Sequence, residues 1–80
     1  MLTVEVLFDS KAAAERLAEV AICCDDAGLD YLIRKLHSLR GKSDHLHLMT
    51  PAWAGEGLDE RKQGGDDYVL VNHLRIVHRL

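Results

Sequence analysis

The sequence has no excess of basic residues. Ten Lys and Arg stand against thirteen Asp and Glu, for a net charge of −3. Nucleic-acid binding through a basic face is therefore not expected, and neither is a polybasic membrane-surface protein. No apolar run approaches the ~18–20 residues that span a bilayer. Residues 1–9 carry acid rather than the basic start of a secretory signal, so such a signal is not expected. Cysteine is scarce, and Cys23 and Cys24 are adjacent. Neighbouring cysteines cannot form an ordinary bridge without strain. The expectation is two reduced thiols in a cytoplasmic protein rather than a disulfide-stapled secreted scaffold. Also missing are a phosphate-cradling glycine loop, a nucleophile elbow and a hydroxyl–His–acid arrangement. There is no internal repeat, low-complexity tract or interdomain linker, so 1–80 reads as a single domain.

A hydrophobic fraction of 48% and a charged fraction of 29% are ordinary for a globular domain. Residues 2–8 alternate, with Val4, Val6 and Phe8 on one face and Thr3, Glu5 and Leu7 on the other, which predicts a strand. Propensity favours helix in the next stretch. A helix reaching Cys24 would, however, run into one that starts at Asp25 or Asp26, with no Gly or Pro between them. The reading adopted is a turn over 11–17 and a strand over 18–24. Residues 26–40 give the clearest helix: an Asp at the start, a stripe of Leu29, Leu32, Ile33, Leu36 and Leu39, and Gly41 to take the left-handed position after it.

A short strand is predicted over 45–49, with Leu46 and Leu48 toward the helix and His45, His47 and Met49 away from it. Residues 50–67 hold the sole Pro, the sole Trp and four of the six Gly. They read as a long excursion, with one helical turn near 58–62. A last strand is predicted over 68–80, with Leu74 and Ile76 inward and His73, Arg75 and Val77 outward. The stripe of the helix needs a partner surface, and the sheet is the only candidate. The fold expected is α+β: a small antiparallel sheet of about four strands, in chain order β-β-α-β-β, with one long helix on one face.

His45, His47 and His73 on one sheet face are a candidate metal site, with Asp44 as a possible fourth donor. The plainer reading is a solvated polar sheet face, because two-cluster zinc spacing is absent. Cys24 is expected inward as a small hydrophobe. Cys23 is expected outward beside Asp25, whose charge opposes a thiolate and argues against a nucleophile. The carboxylates Glu56, Asp59, Glu60, Asp66 and Asp67 read either as a solvated acidic rim or as a surface complementary to a basic partner. Trp53 lies in the loop, either capping the sheet edge or exposed as an interface anchor.

The segment His45-Leu46-His47-Leu48-Met49-Thr50-Pro51-Ala52-Trp53-Ala54-Gly55, followed by Asn72-His73-Leu74-Arg75-Ile76, resembles the immunity protein 32 family of bacterial polymorphic-toxin systems. The resemblance includes the helix after Asp25-Asp26-Ala27-Gly28-Leu29 and covers roughly residues 18–77. Ala54 stands where the family pattern often has a glycine. The resemblance implies a small α+β protein that binds and neutralises a toxin made by the same or a kin cell, and it carries over no toxin-binding residues.

The function expected is a non-enzymatic immunity protein, without cofactor, acting by stoichiometric blockade of a cognate toxin. Trp53, Glu56, Asp59, Glu60, Asp66 and Asp67 are its expected contact residues. The rival readings are a small metal-binding protein using His45, His47 and His73, and a homodimeric interaction module.

Overall fold

The computed structural model describes residues 1–9 and 16–80. In chain order the elements are β1 (Leu2–Asp9), β2 (Arg16–Cys24), α1 (Asp26–His37), β3 (Asp44–Met49), a 3-10 turn (Pro51–Trp53), β4 (Tyr68–Leu70) and β5 (His73–His78). The α+β class is as expected. The described strands number five, in two antiparallel sheets ordered β2-β1-β4 and β3-β5, where about four in one sheet were expected.

Several boundaries also differ. β2 begins at Arg16, so Arg16 and Leu17 extend the strand instead of ending a turn. The rest of that expected turn, 11–15, lies outside the described residues. The helix stops at His37, and Ser38 caps it through its amide and hydroxyl to carbonyls of the last turn. Gly41 takes a positive φ of 75° in the turn beyond. The expected last strand breaks at Val71–Asn72, for a visible reason. The Val71 amide donates to Val4 O at 2.8 Å, while Asn72 O accepts from the Thr50 amide at 3.0 Å. Consecutive residues thus bond to different sheets, and the ladder cannot run through them.

β1 is the central strand of its sheet, and both of its faces are covered near the start. Leu2 and Val4 join Leu48 and Leu58 in the core, with Tyr31, Leu32, Leu46, Val71 and Leu74 packed against them. The opposite face carries Thr3 and Glu5, both fully buried. Alternation placed them correctly as a pair, but not in solvent. A register shift between Leu7 and Phe8 sets Phe8 opposite Leu17 and leaves it exposed, so the Val4–Val6–Phe8 face does not continue inward.

The helix begins where the sequence puts it. The Asp25 carboxylate accepts the Gly28 amide at 2.9 Å and pairs with the Met1 amino group at 2.5 Å. Gly28 lets α1 lie against the chain at Met1, since a Cβ there would fall 1.8 Å from Met1 O. Of the predicted stripe, Leu32 and Leu39 turn inward, whereas Leu29, Ile33 and Leu36 remain exposed.

The excursion between β3 and β4 is ordered by the core. Leu58 is buried, and Met49 bonds on both sides of Gly57, through its amide to Glu56 O and its carbonyl to the Leu58 amide. Asp59 then takes up the first residue of β1, its amide bonding Leu2 O and its carboxylate the Leu2 amide at 2.7 Å. These residues stitch β3 to β1. The one helical turn of the loop is at Pro51–Trp53, not near 58–62, because Pro51 supplies the fixed φ that a helical start uses.

Candidate functional site: a row of rings beside Trp53

β3 and β5 pair with Met49 opposite His73 and His47 opposite Arg75. Period-two alternation then sends His45, His47, His73 and Arg75 to the face away from the core, as the sequence implies, and all four are exposed. His47 and His73 sit on the diagonal between strands and meet directly, with His47 Nδ1 2.6 Å from His73 Nε2. The ring of His45 stands edge-on to His47 at 5.0 Å between centroids, and His47 lies 4.9 Å from His73. The Trp53 indole continues the line, 6.4 Å from His73. Four rings thus form a row across the sheet.

Trp53 is held outward rather than folded over the edge. Thr50, fully buried, donates its hydroxyl to Asn72 Oδ1 at 2.8 Å, and its carbonyl receives the amides of Trp53 and Gly55. Proline after Thr50 favours the extended conformation that Thr50 adopts. Ala54 closes the turn with a φ of 56°, the left-handed region that favours glycine. Its amide reaches Pro51 O at 2.9 Å. The result is a tryptophan 57% exposed on an ordered turn. That is the state of an anchor side chain with little conformational entropy left to lose.

His47 is held below the ordinary histidine value, first by partial loss of hydration and then by the nearby charges of His73, His45 and Arg75. A single proton lies between His47 and His73, one ring donating and the other accepting. Asp44 at the end of β3 is pulled below the usual carboxylate range, chiefly by the His45 amide at 2.8 Å. Among the described residues, no group of three or more His, Cys, Asp or Glu side chains is arranged to hold a metal ion. His45, His47 and His73 make a row of edge-on and tilted rings, and the two nitrogens in contact are too close to be separate ligands as they stand: donors about 2 Å from a tetrahedral zinc lie over 3 Å apart.

The acidic residues expected beside Trp53 do not form one patch. Glu60 Oε1 accepts the Ala52 amide, so that carboxylate braces the Trp53 turn. Asp59 holds Leu2. Glu56 is exposed and, with Pro51 and Asp59, lines a groove of about 380 Å³ that runs to Ala27 and Tyr31 of α1. Asp66 and Asp67 are exposed in the turn before β4, at the end of that strand away from Asn72 and Thr50.

Alternation also missed one buried carboxylate. Glu5 Oε1 accepts the Gly64 amide at 2.7 Å, and Oε2 accepts the Gln63 amide at 2.9 Å and the Thr3 hydroxyl at 2.6 Å. Burial alone would raise its pKa. The Thr3, Gln63, Gly64 and Cys23 donors outweigh that and hold it below the ordinary value. Cys23 is therefore the half-buried thiol and Cys24 the exposed one, the reverse of the expectation. β2 is an edge strand, and the face that carries Cys24 is uncovered there.

Comparison with known proteins bears on the same segments. The family model described as immunity protein 32 matches residues 19–74. That span runs from the middle of β2 through α1, β3 and the Trp53 turn into β5. No curated protein and no solved structure matches the chain.

Proposed function

The chain belongs to the immunity protein 32 family, and from that premise we propose that it neutralises a cognate toxin in the cytoplasm by one-to-one binding, without catalytic turnover. The contact surface is the ring row of β3 and β5 with Trp53 at its end. The observation that carries this reading is the exposure of Trp53 on a turn braced from three sides, by Thr50, Asn72 and Glu60. Tryptophan ordered in this way gives a partner a large apolar surface at low entropic cost. The imidazoles and the Arg75 guanidinium beside it supply donors and acceptors for the partner's backbone and carboxylates.

Glu56 adds a free carboxylate three residues after Trp53. Asp66 and Asp67 form a separate acidic corner, which would speed the approach of a basic toxin such as a nuclease more than it would tighten the final complex. Asp59 and Glu60 act differently: they position the loop, and their replacement disturbs binding through the fold.

Survival of cells expressing the toxin domain encoded beside this chain tests the reading. Co-expression of the chain restores growth, and Trp53→Ala combined with His73→Ala removes protection while the variant stays folded by circular dichroism. Full protection by that folded variant would exclude the surface. Absence of protection by the unaltered chain would exclude the role.

A further inference from the structure

We propose that two copies of this chain pair antiparallel through β2, joining two three-stranded sheets into one continuous sheet. Val4 O and Leu2 O accept from Val71 and Asp59, on the side of β1 away from β2, whereas Met1 O accepts from Asp25 on the β2 side. Backbone groups alternate sides along an antiparallel strand. Thr3, Glu5 and Leu7 therefore bond to Cys23, Ala21 and Glu19, their partners in register. Beyond the register shift at Ala18, the N–H and C=O groups of Val20 and Ile22 point to the outer edge, where no strand pairs with them among the described residues.

This edge carries few of the usual guards: its one irregularity is the register shift at Ala18, and Glu19–Cys24 beyond it pair regularly with β1. Arg16–Cys24 holds no proline and no lysine, and its only charges are Arg16 and Glu19. Long unguarded edges with apolar side chains recruit another strand. Val20 and Ile22 are 55% and 50% exposed on the face shared with Val4, Val6 and Val69, and Val69 is 52% exposed. A second β2 laid beside the first buries part of this valine and isoleucine band.

The strand is also complementary to itself. A twofold axis perpendicular to the sheet sets Val20 opposite Val20, or Val20 opposite Ile22. Both registers oppose outward-pointing residues to outward-pointing residues, as the hydrogen bonds require. Both leave Glu19 facing an uncharged residue and bring Arg16 of each copy alongside Asp25 and Asp26 of the other. The register one step away would set Glu19 against Glu19, which like-charge repulsion disfavours.

The test is the mass of the full chain by sedimentation equilibrium over a dilution series, with backbone amide exchange read alongside. The expected result is a species of twice 9.0 kDa, with the Val20 and Ile22 amides protected and their protection falling on dilution. Val20→Lys, which places a charge on the open edge, should give a monomer with an unchanged circular dichroism spectrum. If that variant unfolds, the exchange pattern of the unaltered chain decides. A wild-type monomer overturns the proposal, as does a dimer whose Val20 and Ile22 amides exchange freely. Edge amides protected only when another protein is added would also overturn it, and would assign the edge to that partner.

Discussion

His47 Nδ1 and His73 Nε2 meet at 2.6 Å across neighbouring strands, and only one of the two rings carries the proton between them. Protonating both rings breaks that bond and sets two cations side by side next to Arg75. The folded state therefore resists the second proton, and His47 is held below its ordinary value.

The sign of the pH effect follows. The unfolded chain takes up protons near the usual histidine pKa of about 6.5, while the folded chain resists, so the unfolded state binds more protons in that window. Stability is fully present above that value and falls as pH is lowered through it toward the folded pKa. Thermal midpoints recorded from pH 7.5 down to 5 are expected to drop, and His47→Gln should flatten the curve over that range. An equal drop in the variant would place the acid sensitivity elsewhere.

Glu5 governs a lower window. Its folded pKa is depressed by four donors, so its stabilisation is present above the unfolded carboxylate value of about 4.3 and is lost as pH falls through the folded pKa. Glu5→Gln keeps the shape but removes the charge that the Gln63 and Gly64 amides meet. The expected cost is about 1–3 kcal/mol, read as a lower urea midpoint at pH 7. An unchanged midpoint would mean that the 63–64 loop is held by other groups.

Ala54 has a positive φ of 56° in the turn that presents Trp53. An L-residue there carries strain that glycine avoids. Ala54→Gly should raise stability by about 0.5–1 kcal/mol, or several degrees in Tm for a domain of this size. A loss of stability on that change would show that the alanine methyl makes contacts outweighing its strain.

Much of this architecture was legible in the residues. The Asp25 start, the Leu46/Leu48 inward face and the outward imidazoles follow from period and capping alone, because each is a local property. The resemblance carried by the His45–Gly55 and Asn72–Ile76 segments agrees with the family match. What the residues hid was set by distant partners. Thr3 and Glu5 alternate as a solvent face would, and only the return of Gln63 and Gly64, 58 and 59 residues later, buries Glu5. The break at Val71–Asn72 has no turn residue pair behind it and arises from competing bonds to Val4 and Thr50. Asp59 and Glu60 look like free surface acids in sequence because their acceptor roles, toward Leu2 and Ala52, depend on where the loop returns.

The central claim is that this chain is a binding partner with Trp53 at the contact. Titration calorimetry of the chain against the C-terminal domain of the protein encoded by the adjacent gene tests that claim most directly. The account predicts a one-to-one complex, at least tenfold weaker with Trp53→Ala, the ~1.4 kcal/mol or more of a hot-spot side chain. Absence of heat with the unaltered chain, or an affinity unmoved by that substitution in a folded variant, would contradict it.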